Sequence, residues 1–314
     1  MARHAGAHAH HPAAWRLLLK RIFVALAALF AGACCTSLPR LPAKKVAFPP
    51  LAPETERVTE RSEIWRDEAR SRDVPVKIYG DRGPVVIFSH GIGENRDSYS
   101  PLGLTLARHG FRAVHVTHAG TDRAMLERGY LHLYRAVKQK ENWVARHLDV
   151  SFVLDRLGAG EAAIAGHSAG AFTAFAVSGL RAATGETLRD PRIKTAVAMS
   201  MPRLDGVVAE DGYDTIAIPL LNLTGTCDTS IIYRTFPKHR RIPFERSRAP
   251  RQYLVTMDRV NHDTFVGEHD EIAAVTIAFL RAWMLGDEAA RAWFDEPGSG
   301  AVGKVRLALE RKPQ

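Results

Sequence analysis

Short unbroken apolar runs alternate along this chain with longer stretches in which apolar residues recur every three or four positions. The runs at 74–79, 85–88, 112–117, 162–165, 195–199, 220–223 and 253–255 read as strands. Continuous apolarity over so short a length is what a strand buried on both faces requires. Helical periodicity covers 99–109, 137–157, 169–182 and 268–285. Strand and helix therefore alternate, which predicts an α/β domain with a mostly parallel sheet flanked by helices.

The two ends break this pattern. Residues 1–33 contain Arg3, Arg16, Lys20 and Arg21 and no acid, and the apolar run from Ile22 ends Ala31-Gly32-Ala33. A charged start, a short apolar run and a small-x-small site describe an export signal. The run falls short of the ~20 residues that cross a bilayer. Cys34 directly after Ala33 also resembles the bacterial lipobox, whose cysteine is acylated, although Ala31 stands where leucine is usual. Two mature forms are expected: a lipoprotein anchored to a membrane through Cys34, periplasmic or at the cell surface, or a soluble secreted protein. Residues 34–56, with Pro39, Pro42, Pro49, Pro50 and Pro53, read as an extended linker that spaces the domain from its cleavage site. The domain proper is expected over 57–290, and 291–314 as a basic tail.

Removing both ends from 314 residues leaves about the ~200–250 of one α/β domain. The formal charge of +9 includes the four basic residues of the export signal. It permits contact with anionic surfaces, but no basic helix interleaved with aromatics points to nucleic acid. Cys34, Cys35 and Cys227 make no disulfide framework, and Cys227 reads as a small buried side chain. His4, His8, His10 and His11 lie ahead of the apolar run, and His115 and His118 fall on opposite faces of one strand. Neither group suggests a metal centre, and no cofactor is implied.

Candidate chemistry sits just past the strands. Gly166-His167-Ser168-Ala169-Gly170 follows one apolar run and opens a helix. Strand, Gly-x-Ser-x-Gly and helix together form a nucleophile elbow, with the helix N-terminus aimed at the serine oxygen. A serine nucleophile needs a base and an orienting acid. His262 follows the run at 253–255, and Asp228 ends Thr224-Gly225-Thr226-Cys227-Asp228. Asp205, after the preceding strand, is the rival acid. His90-Gly91-Ile92-Gly93 follows the run at 85–88, so the amides of Ile92 and Ala169 are the expected oxyanion donors. Asp122 reads as a loop-shaping residue. Arg234, Lys238, Arg240 and Arg241 read as a solvated basic loop, or as a binder of an anionic ester.

With these motifs in hand, the chain resembles serine α/β-hydrolases of the predicted dienelactone hydrolase and platelet-activating-factor acetylhydrolase type. The resemblance rests on 88–93, 96–99, 106–111 and 118–122, on Gly166 to Gly170, on Thr224 to Asp228 and on His262 to Phe265. The last two segments are also similar to cutinase-like polyester hydrolases. It implies the α/β-hydrolase fold without a large lid and ester cleavage by Ser168, Asp228 and His262. Only a short segment separates the strands near Ser200 and Pro219, so an open cleft for short-chain, surface-borne or polymeric esters is expected. Two alternatives stay open: a non-catalytic surface lipoprotein that keeps the fold, and a phospholipid or acetyl-ester hydrolase of acetylhydrolase type.

Overall fold

The computed structural model describes residues 35–51, 55, 57–203, 205–231 and 234–313. The expected export signal and the expected acylation site Cys34 lie outside them. Ten strands form one sheet in the order β1-β2-β4-β3-β5-β6-β7-β8-β10-β9. They are β1 Glu60–Asp67, β2 Arg72–Tyr79, β3 Val85–Ser89, β4 Arg112–Val116, β5 Ala162–His167, β6 Ile193–Met199, β7 Leu220–Cys227, β8 Gln252–Asn261, β9 Gly298–Val302 and β10 Val305–Arg311. The strands from β4 through β8 are parallel, and those outside them are antiparallel.

Alternation across the pleat builds two core layers. Val86 and Phe88 of β3 and Ala163 and Ala165 of β5 face one layer, packed by helices α1 Ser100–Arg108 and α8 Asp270–Leu280. Ile87, Ala162 and Ile164 face the other, with α4 Lys140–Leu157 and α5 Ala169–Val177. Between β4 and α4 run two short helices, α2 Arg123–Glu127 and α3 Tyr130–Ala136. Between β7 and β8 lie α6 Pro237–Arg240 and α7 Ile242–Arg246. Between β6 and β7 the described residues hold no helix or strand, so no lid domain is inserted there.

Several expectations are corrected. The helix expected over 137–157 starts at Lys140. The one expected to reach 182 ends at Val177, because Gly179 at φ +114 turns the chain away. The expected basic tail is structured. Helix α9 Glu288–Asp295 leads into the β9–β10 hairpin, which extends the sheet beside β8. Its signal was Val305, Leu307 and Leu309 in alternation, with Gly303 at φ +56 closing the turn.

The expected spacer is instead a strap against the body. The Thr36 amide donates to the Thr226 carbonyl at 2.8 Å, the Lys44 amide donates to the Ser299 carbonyl of β9 at 2.9 Å, and the Ser299 amide donates to the Pro42 carbonyl at 2.7 Å. Phe48 packs edge-on against Trp293 at 5.1 Å. Cys35 and Cys227 form a disulfide, which three cysteines with an adjacent pair did not suggest. Proline-rich backbone cannot pair fully with itself, so it docks where side chains and a strand edge supply partners.

Candidate active site

Ser168 joins the C-terminal end of β5 to α5 at φ 54, ψ −114, a strained conformation for a residue with a side chain. The turn is tight enough that a Cβ on Gly166 would lie 2.3 Å from the Gly170 carbonyl oxygen, and one on Gly170 1.8 Å from that of Ser89. Both glycines are therefore required by the close approach itself. The Ser168 amide donates to the Met199 carbonyl at 2.9 Å, which holds the elbow to β6.

His262 begins the 3₁₀ turn Asp263–Phe265 after β8, and its Nδ1 lies 3.1 Å from Asp228 Oδ1. Ser200, at the end of β6 with φ +59, stands between the two. Its Oγ is 2.7 Å from His262 Nδ1 and donates to Asp228 Oδ1 at 2.8 Å. In the tautomer whose Nδ1–H donates to Asp228 Oδ1 and Ser200 Oγ, Nε2 is the basic nitrogen. Among the described residues Ser168 Oγ makes no hydrogen bond to the ring; catalytic contacts of this kind tighten when substrate is bound.

Asp228 is fully buried, and Thr224 Oγ1 donates to its Oδ2 at 2.8 Å. Burial pushes its pKa up, but the Arg240 charge and then the His262 hydrogen bond outweigh this and hold it well below the usual carboxylate range. Arg240 was expected on a solvated loop. It is buried instead, 3.0 Å from Asp228 Oδ1, and donates to the carbonyls of Ser200 and Met201. Arg241 pairs with Glu245 and Glu310. The rival acid Asp205 is exposed and pairs with Arg203 at 2.6 Å.

The loop after β3 carries Ile92, whose amide, like that of Ala169, has no protein acceptor among the described residues. A buried network supports this loop from beneath. Arg146 of α4 donates to the His90 carbonyl and, at 3.1 Å, to Ser89 Oγ. Its other nitrogens reach Thr121 at 2.7 Å and Thr173 at 3.0 Å. Asp149, one helical turn on, receives Arg70, Arg72 and His118. Burial, then the Arg146 charge, lowers the His118 pKa to about 4, so it is neutral near neutral pH. His115 packs apart from it, between Tyr79 and Phe88. Asp122 caps α2 by accepting from the Met125 amide. The sequence reading missed Arg146, Asp149 and Ser200. Arg146 and Asp149 had left a signal, two charges on the apolar face that Val150, Val153 and Leu154 bury.

His167, beside the nucleophile, is buried with its Nδ1 2.8 Å from the Tyr99 hydroxyl, and it stacks on Phe265 at 5.4 Å. Its ring centre is 4.7 Å from that of His262, so it forms one wall against which the base rests.

The α/β hydrolase fold model matches residues 84–216, the span from β3 through the elbow. The chain has the α/β-hydrolase fold. A predicted CIB-like hydrolase from Thermoplasma acidophilum shares it, with a TM-score of 0.52 at 12% identity, over 72% of this chain and 100% of that one. Local similarity reaches platelet-activating factor acetylhydrolases. It is 49% identity over 45 residues for the Cavia porcellus protein and 49% over 39 residues for that of Bos taurus. These stretches cover 14% and 12% of this chain and only 10% and 9% of the relatives.

Proposed function

We propose that the protein is a serine hydrolase that cleaves carboxylic esters through an acyl-enzyme. The observation that carries this is the contact of His262 Nδ1 with the buried Asp228, on the same sheet edge as a serine held at a strained elbow. Ser168 Oγ attacks the ester carbonyl carbon and its proton passes to His262 Nε2. The carbonyl oxygen takes the negative charge between the Ile92 and Ala169 amides. Collapse breaks the bond to the leaving alkoxide, which receives the proton from His262. Water, deprotonated by the same nitrogen, then releases the acid.

We further read the chain as exported. The Cys35–Cys227 disulfide fits an oxidising compartment, and the charged and apolar start fits a signal. Acylation of Cys34 is the anchored version of this reading.

Labelling with a fluorophosphonate and turnover of p-nitrophenyl esters test the mechanism. Wild type should do both, and Ser168→Ala neither, with an unchanged circular dichroism spectrum. A purified wild type that is inert to both would leave a non-catalytic surface protein on this fold.

A further inference from the structure

The disulfide fixes where the N-terminal segment meets the body. Cys35 is bonded to Cys227, the last residue of β7 and the neighbour of Asp228. The apolar run that ends at Ala33 is thus only two residues from a contact on the catalytic edge. The proposed acylation of Cys34 would attach a lipid one residue from this contact.

The same edge exposes apolar side chains where a solvated protein would bury or avoid them. In α3, Leu133 and Ala136 are buried, while Tyr130, Leu131 and Tyr134 are 74%, 59% and 58% exposed. Spacings of three and four place these three on one outward face. The helix sits beside the oxyanion loop, because Gly93 donates to the Thr121 carbonyl and abuts Leu126 and Leu133. Ile231, 52% exposed, follows three residues after Asp228. Around α3 the exposed cations Arg128, Arg135, Lys138 and Lys140 outnumber the exposed acids Glu127 and Glu141, with Lys138 Nζ 5.3 Å from the Tyr134 ring centre.

Sheet order sets the spacing of these groups. The α3 helix follows β4, Ile231 follows β7, and β5 with Ser168 lies midway between those strands. Four strand spacings put β4 and β7, which these groups follow, roughly 19 Å apart with β5 between them. Tyrosines and leucine ringed by lysine and arginine suit the headgroup level of an anionic bilayer.

We propose that the catalytic edge is a membrane-docking face. On an anionic bilayer α3 enters the headgroup layer on the β4 side of Ser168, and Ile231 on its β7 side. This rests on the exported-hydrolase reading for its purpose, but the docking itself can be measured without activity. The full chain is mixed with phosphatidylcholine vesicles, with and without phosphatidylglycerol, and followed by amide hydrogen exchange. Residues 123–140 and 229–231 should gain protection, more so with phosphatidylglycerol. The triple variant Tyr130→Ser, Leu131→Ser, Tyr134→Ser should lose that protection. It should also hydrolyse a vesicle-borne ester at least about tenfold more slowly, while a water-soluble ester is turned over within about twofold of wild type. A chain that stays off vesicles, or binds them with both segments still exchanging freely, overturns the proposal. So does a triple variant protected like wild type. A docked but inert protein would support the docking and refute the ester chemistry.

Discussion

Asp228 keeps its charge in a site with no exposure to water, and the reason is local. Arg240, Thr224, Ser200 and His262 all direct protons at it. Asp228→Asn should lower ester turnover by roughly 10⁴-fold, because the acid that fixes the imidazole tautomer is gone. Asp205→Asn should leave the rate within about twofold, since an exposed ion pair contributes little. Steady-state kinetics of the two variants check this, and the reverse order would move the acid to the end of β6. The depressed pKa of Asp228 also links stability to pH. A carboxylate held below its unfolded value near ~3.9 contributes its full stabilisation above that value. The stabilisation is lost as pH falls through the lower folded pKa. Urea midpoints of wild type should therefore fall with acidification in a way that Asp228→Asn reduces.

At the scale of elements, the strap is a strand-edge partner and a staple together. Its disulfide spans a sequence separation of 192. Cys35→Ser should destabilise the fold by about 3–5 kcal/mol, most of it from the freed unfolded chain, measurable as a lower denaturant midpoint. The parallel strands were legible because burial on both faces leaves an unbroken apolar run, as in Val85-Val86-Ile87-Phe88. Strand β1 was not, because as an edge strand it exposes most of its polar residues. The hairpin β9–β10 was hidden by its arginines and lysine, which composition read as a tail. The positions of Ser168, His262 and Asp228 at strand ends could be read from turn chemistry. The burial of Arg240 could not, because only the tertiary contact with Asp228 distinguishes it from Arg241 next to it.

For the whole molecule, the proposed location and the proposed chemistry meet at one sheet edge. Mass spectrometry of the N-terminal peptide decides the mature form: it should begin at Cys34, with a diacylglyceryl mass in the anchored version. A peptide that retains residues 22–33 would refute export by cleavage. The Cys35–Cys227 bond also sets a timetable. On the proposed export route Cys35 would leave the translocation pore among the first residues of the mature chain, and its partner would follow only once β1 through β7 had emerged. Until then Cys34 and Cys35 compete for any oxidant and for each other. An acyl group on Cys34 would end that competition, leaving two thiols and a single correct pairing, so that lipid attachment would act as proofreading for the last crosslink to form.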